Sequence, residues 1–505
     1  MIAAIPSATL LGVEGRPVSV EVHVSSGLPG FTVVGLPDAA CRESRDRVRA
    51  ALLSSGIPWP LKRVTVNLAP SNERKQGSGL DLAIAIGLLV ASETVPAEQV
   101  NGMAFVGELG LDGTLRRVPG MVSLADAVDM PALVVPLGAV REAALAGPDV
   151  VRGATSLRQL LDVLKGDVRW PDPDDPVPPP PDIGLAPDLA EVRGQHLGRR
   201  AVEVAAAGGH HLLLSGPPGA GKTLLARRLP GLLPPLTRSE SLVVTKVHSA
   251  AGLALPPGGL VILPPFRSPH HGASAVSLVG GGTAFMRPGE ISQATCGVLF
   301  LDELGEFPAM VLDCLRQPLE EGVVRISRAK ASVEFPARFL LVAAMNPCPC
   351  GAPGGPGSCR CSDAARFRYS RRVSGPLLDR FDLRVAVHRA EPSELLGGAQ
   401  GESSVVVAAR VRRARERAVA RGVPNNAALP GHLLDEVAPL TQGARRLLEQ
   451  RLTRGSLSAR GLHRVRRVAR TIADLDEASP EVLDVEQVAE ALGLRAMPDA
   501  MELAS

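Results

Sequence analysis

The chain has 505 residues, 45% of them hydrophobic and 21% charged, enough for three or four domains of roughly 100–200 residues each. Its 55 basic and 52 acidic residues leave a formal net charge of +3, which excludes a strongly basic, chromatin-like protein but not a local basic surface. Seven cysteines in a chain of this length exclude a disulfide framework. The basic residues are 49 Arg and 6 Lys; alongside abundant Ala, Gly and Pro, this bias reads as GC-rich coding rather than as a phosphate-binding composition. No charged stretch precedes the first apolar residues, and no apolar run approaches the ~20 residues needed to span a bilayer. A cytoplasmic protein with no membrane segment is expected.

Residues 18–24 (VSVEVHV) alternate with period two, as a half-buried strand does, and residues 64–68 form another. Residues 38–54 read as a charged amphipathic helix and 80–91 as a buried one. Residues 105–118 read as a hairpin turning at Asp112-Gly113. This mixture predicts an α+β domain over residues 1–168. Residues 169–188 read as a linker, because the stretch PDPDDPVPPPPD within it holds seven prolines and no helix or strand pattern. A second break at 391–404 divides an α/β core, residues 189–392, from a helical region, 393–505.

The strongest motif is Gly216-Pro217-Pro218-Gly219-Ala220-Gly221-Lys222-Thr223, with a short apolar strand before it and a helix after it. Glycines let the backbone wrap phosphates, and the helix N-terminus adds free N–H groups. Lys222 would reach the β- and γ-phosphates of ATP, and the Thr223 hydroxyl would ligate Mg²⁺. Residues 297–303 form an apolar strand ending in Asp302 and Glu303; Asp302 would help hold Mg²⁺, and Glu303 would act as general base on water. A third apolar strand, residues 339–346, ends in Asn346.

Between these motifs, residues 267–282 (RSPHHGASAVSLVGGG) read as a mobile loop facing a pore, with His270-His271 only weakly metal-like. Residues 323–335 read as a hairpin with Arg328 and Lys330 near its tip, placed to grip DNA phosphates. Cys348, Cys350, Cys359 and Cys361 fall within fourteen residues and could hold a structural Zn²⁺. In the C-terminal region, Leu462, Val465, Ala469 and Ile472 make one apolar helical stripe. Arg464 and Arg467 lie off it, on a basic face expected to meet nucleotide or DNA. Asp484 to Gln487 fits a capping box.

The paired motifs resemble those of AAA+ ATPases. That resemblance makes Asn346 a water-orienting residue and Arg380, in LLDRFD, an arginine finger for a neighbouring subunit, with an internal ion pair to Asp379 or Asp382 as the alternative. It makes Arg460, in SARG, the second sensor, with Arg464 as its rival. Residues 1–168 resemble the Lon-protease-type domain in RKQGSGLDLAIAIGLL and GELGLDGTLRRVPG. There Gly79 falls on the nucleophile position, Ser78 misses it by one residue, and no Lys follows Gly120 where one is expected. A Ser without a base is a weak nucleophile, so a non-proteolytic domain is expected. In the order and spacing of GPPGAGKT, RSPHHGAS, GVLFLDELGEF, AAMNPCPCG, SGPLLDRFDL and LSARGLHRVRRVARTIADL, the whole chain resembles the ComM/YifB family of magnesium-chelatase-like AAA+ ATPases. The resemblance implies an AAA+ P-loop core with a helical lid, a homohexamer, DNA and recombination proteins as partners, and ATP-driven branch migration in recombination and natural transformation. A metal-chelatase ATPase subunit and a protein-remodelling ATPase are the alternatives.

Overall fold

The computed structural model describes residues 1–172, 187–282, 286–328, 331–351, 359, 361–397 and 401–495. Most of the expected linker, Lys330 and part of the cysteine loop lie outside the described residues. Among the described residues, no helix is long and apolar enough to cross a membrane.

The N-terminal part opens on a long hairpin, Ile2–Leu11 paired antiparallel with Glu14–Ser25. Arg63–Ala69 and the parallel Gly30–Val34 complete a four-stranded sheet. The alternation read at 18–24 is real: Val18, Val20, Val22 and Val24 all point inward and are buried. The helix Ala39–Ser54 starts where Asp38 accepts the Cys41 N–H at 2.8 Å. The helix Asp81–Ala91 is buried on nearly every side, with the Asp81 carboxylate held by Ser44 and Arg47. One expectation is corrected here. Only Glu108–Leu109 and Leu115–Arg116 pair as a hairpin. Phe105 belongs instead to Met103–Phe105, which joins Ala132–Pro136 and Val150–Ala154 in a separate parallel sheet. Apolar residues on both sides of a turn signal do not specify which partner each limb chooses.

The central part is a five-stranded parallel sheet in the order Phe266–Arg267, Val298–Leu301, Leu340–Met345, Leu212–Ser215, Leu383–Ala386. The three inner strands are wholly buried, as expected of a parallel sheet covered on both faces. The segment 267–282 is more ordered than a loop: it holds a short helix, Ala275–Val279, capped by Ser274, and Gly280–Gly281 pairs with Arg287–Pro288. The hairpin read at 323–335 is present as Val323–Arg328 against Ala331–Pro336.

The last part is helical. Ser404–Ala420 and Ala459–Leu475 pack on His196–Gly208 of the central part. Val465, Ala469 and Ile472 are buried as the stripe requires, and the capping box of Asp484 and Gln487 forms. The basic face of this helix is a second correction. Arg466 donates to Asp435 and to the carbonyls of Leu434 and Ala438, and Arg470 lies 3.0 Å from the buried Asp474. Arg467 donates to the Leu429 carbonyl. These arginines tie the helices together, because a guanidinium carries five donors that can satisfy several internal acceptors at once.

The N-terminal part is wedged against the central part. Gly12 and Val13, the turn of the first hairpin, pack under Val333 and Phe335 of the 323–336 hairpin. Gly120 N–H donates to the Ser249 carbonyl at 3.0 Å, and Lys246 pairs with Asp126 at 2.7 Å. Gly12 has φ +67°, and a Cβ there would stand 2.1 Å from Val333 Cγ1. Gly12→Val should therefore cost about 2 kcal/mol from strain and overpacking. Calorimetry should show the loss as a lowered first unfolding transition, and an unchanged transition would contradict this packing.

Candidate nucleotide site

Three chain segments meet at the carboxyl edge of the parallel sheet. Ser215 pairs in register with Met345, and Leu301 with Ala343. The residues that follow each strand are therefore neighbours: the glycine-rich loop, Asp302-Glu303 and Asn346. Gly219 and Gly221 have φ of +76° and +90°, so the loop reverses in a conformation that side chains resist. Gly216, Pro217, Pro218 and Ala220 complete its wall, and the helix Lys222–Arg228 starts directly behind it.

Lys222 folds back over this loop. Its Nζ donates to the Gly216 and Pro217 carbonyls at 2.6 and 2.9 Å and to Asn346 Oδ1 at 3.1 Å. Burial lowers its pKa, partly offset by Asp302 and Glu303. Thr223 Oγ1 donates to Asp302 Oδ2 at 2.8 Å. These are the two residues read as Mg²⁺ ligands, and their oxygens already face each other. An oxygen pair of this kind suits a hard divalent cation that keeps waters and substrate phosphates in its remaining positions. Glu303 sits at φ +54° with its N–H bonded to Asp302 Oδ1 at 3.0 Å. Lys222, Thr223, Asp302, Glu303 and Asn346 thus form one cluster.

Two residues that the motif order does not single out also reach the loop. Gln195, at φ +55°, donates to the Ala220 carbonyl at 3.1 Å, and Arg389 donates to the Pro218 carbonyl at 3.3 Å. The segment Glu191–Gly194 before Gln195 is charged and turn-like, but nothing in its periodicity points to the loop.

Arg380 and Arg460 are not part of this cluster. Asp382 N–H donates to the His211 carbonyl at the amino end of Leu212–Ser215. That is one strand length, ~13 Å, from the glycine-rich loop. Arg380 lies just before it and pairs with Glu320, not with Asp379 or Asp382. Burial lowers the Arg380 pKa, and Arg464, Arg460 and Arg316 add to the effect, which places these arginines together at this end. Arg464, the rival to Arg460, is committed to Asp382 at 3.3 Å. Burial alone would raise the Asp382 carboxyl, but His210, His211 and Arg464 outweigh it and hold it below the usual carboxylate range. Arg460 is exposed on the first turn of the helix Ala459–Leu475.

The four cysteines converge beside Asn346. Cys348 Sγ lies 3.2 Å from Cys350 Sγ and 3.5 Å from Cys359 Sγ, and Cys350 lies 3.6 Å from Cys359. With Cys361, all four sulfurs fall within 4.8 Å of one another. A tetrahedral zinc with bonds of ~2.3 Å needs sulfurs about 3.8 Å apart, so the donor set fits. Burial and the neighbouring thiols push the Cys348 thiol up to about 12, which disfavours thiolates here unless a cation joins them. Gly351 closes this loop onto the glycine-rich loop: a Cβ on it would come within 2.6 Å of Pro218 Cγ. In the N-terminal part, the Ser78 hydroxyl is committed to the Glu108 carboxylate, Gly79 faces Val118, and the buried Lys75 bonds the Pro70 and Glu73 carbonyls.

Comparison with known proteins gives three family matches. A model described as magnesium chelatase, subunit ChlI, covers residues 188–395; subunit ChlI of Mg-chelatase covers 20–137; and magnesium chelatase, subunit ChlI C-terminal, covers 401–495. The chain is 46% identical over 497 residues to an uncharacterised protein of Mycobacterium tuberculosis (strain ATCC 25618 / H37Rv), covering 97% of each. It is 44% identical over 496 residues to YifB of Escherichia coli (strain K12), covering 96% of each. It is 42% identical over 503 residues to the competence protein ComM of Haemophilus influenzae, covering 98% of each.

Because Lys222 supplies the cation that faces the loop, Lys222→Ala should weaken ATP binding by about 100-fold, the loss of a charge-assisted contact of ~3 kcal/mol. Equilibrium binding of a fluorescent ATP analogue measures this, and native affinity in the variant would remove Lys222 from the phosphate site.

Proposed function

This chain belongs to the family of magnesium-chelatase-like AAA+ ATPases that includes YifB and ComM, and we propose that it is a cytoplasmic, ATP-driven DNA translocase that moves branch points during recombination. The family implies ATP and Mg²⁺. When bound, Mg²⁺ neutralises charge on the phosphates, and Thr223 and Asp302 would hold it. Lys222 exchanges its loop carbonyls for phosphate oxygens. Asn346 holds the attacking water, and Glu303 takes its proton.

The observation that carries the reading is the separation of Arg380 and Arg460 from the chain's own glycine-rich loop. An arginine that acts on phosphate from the far end of the sheet must serve a neighbouring copy. Sites completed by neighbours generate a ring, for which we propose a homohexamer, with hydrolysis coupled to movement between subunits. Supporting DNA as the substrate are the 323–336 hairpin, placed directly before the Asn346 strand with Arg328 ending its first limb, and the name of the competence protein with which the chain aligns over nearly its full length. Natural transformation, with other recombination proteins as partners, is the setting we propose. The three chelatase-type matches favour a second reading, an ATPase subunit of a metal chelatase. It predicts hydrolysis indifferent to DNA.

The test is ATP hydrolysis against DNA structure, with migration of a four-way junction measured alongside. Branched DNA should stimulate hydrolysis, and the junction should move only with ATP; hydrolysis that ignores DNA would favour the chelatase reading. Arg380→Ala alone should lower the rate by about 1,000-fold. Mixing Arg380→Ala with Lys222→Ala chains should restore part of it, because a mixed ring contains interfaces with both groups intact; no recovery would place Arg380 elsewhere. We further propose that Cys348, Cys350, Cys359 and Cys361 hold one Zn²⁺. Metal analysis should find one zinc per chain and less than half of that in Cys359→Ser, and zinc-free native protein would refute the site.

A further inference from the structure

The turn after Phe266–Arg267 brings one more group to the carboxyl edge. His271 Nδ1 lies 3.0 Å from Glu303 Oε2. The ring is placed from two sides: His270 packs against it with centroids 4.0 Å apart, and Phe307 meets it edge-on at 6.5 Å. His270 is fixed in turn, since its Nδ1 accepts the Gly272 N–H at 3.1 Å and its carbonyl accepts the Ala273 N–H at 2.9 Å. One end of the turn is anchored by Arg267, which holds Glu290 with two bonds of 2.6 and 2.7 Å. The other end runs into the helix Ala275–Val279 and the pairing of Gly280–Gly281 with Arg287–Pro288. Glu303 stands at φ +54°, a conformation non-glycine residues keep only when their surroundings hold it. Its backbone and His271 together set where the carboxylate points.

A carboxylate oxygen that accepts a hydrogen bond from an imidazole is a weaker base and is not free to take a proton from water. We propose that His271 is a positioning residue that restrains Glu303, so that hydrolysis waits on movement of the 270–281 segment. The inference deepens the function above and rests on Glu303 being the general base. With the restraint released, Glu303 takes the water proton, and the water oxygen forms a bond to the γ-phosphorus. The bond from that phosphorus to the bridging oxygen breaks, and ADP leaves with the electron pair. The segment is therefore a timing element rather than a passive loop, because it carries the restraint on one side and the paired glycine strand on the other.

Steady-state ATP hydrolysis by the full chain tests this, first without DNA and then with saturating four-way junction. His271→Ala should raise the DNA-free kcat about five-fold, the rate equivalent of one hydrogen bond to a half-exposed carboxylate, with KM unchanged. The DNA-saturated rate should stay the same, so stimulation by DNA shrinks by that factor. His271→Asn, which offers an amide N–H close to the place of Nδ1, should behave as the unaltered protein does. Glu303→Gln combined with His271→Ala should be as slow as Glu303→Gln alone. A DNA-free kcat in His271→Ala that falls or does not change would overturn the restraint. A Glu303→Gln chain that hydrolyses at the native rate would overturn the base assignment itself, whatever His271 does.

Discussion

The register of three buried parallel strands is the constraint on which the site depends. Leu212–Ser215, Leu340–Met345 and Val298–Leu301 end together at one edge because each pairs without slip with the next. A shift of one residue would turn every side chain to the opposite face, and the two apolar layers on either side of the sheet forbid it. With the register fixed, Thr223 meets Asp302, and Lys222 meets Asn346, through side chains that come from opposite ends of the sequence of the core. The chemistry sits at strand ends, where the backbone leaves the sheet and its side chains face a crevice instead of a layer.

Arginine has two distinct uses in this chain. In the helical part it is mostly an internal fastener. Arg421 and Arg470 both bind the fully buried Asp474, which also accepts the Asn426 amide at 2.8 Å. Arg415 reaches the Ala206 carbonyl, and Arg495 those of Phe381 and Asp382. The long stem packs while the fork satisfies carbonyls at helix ends that would otherwise lose water without replacement. Lysine, with one nitrogen, satisfies fewer such acceptors. A composition set by coding bias is thereby put to structural use, and few of these charges remain to act on a phosphate.

Much of the site was legible because its residues are consecutive. A glycine-rich loop between strand and helix, and an apolar strand ending in two acids, have fixed local geometry, so Gly216 to Thr223, Asp302 and Glu303 can be read without knowing the fold. The four cysteines are legible for the same reason. What sequence reading missed comes from tertiary pairing. Phe105 chose Val134 as its strand neighbour over the far limb of its own apparent hairpin. Arg464 and Arg467 lie off the apolar stripe, yet other elements cover them. His271 looks unremarkable between two turns, and only the position of Glu303 across a strand gap gives it a partner. Gln195 meets the glycine-rich loop by folding, not by spacing.

The wedge of Gly12 and Val13 under Val333 and Phe335 has a mechanical meaning. The 323–336 hairpin is a lever on the central part, and its underside rests on the first turn of the chain. Load applied at the hairpin tip is thus transmitted to the N-terminal sheet rather than absorbed by bending. A fragment trimmed to the ATPase alone would leave that underside wet and the lever without its fulcrum.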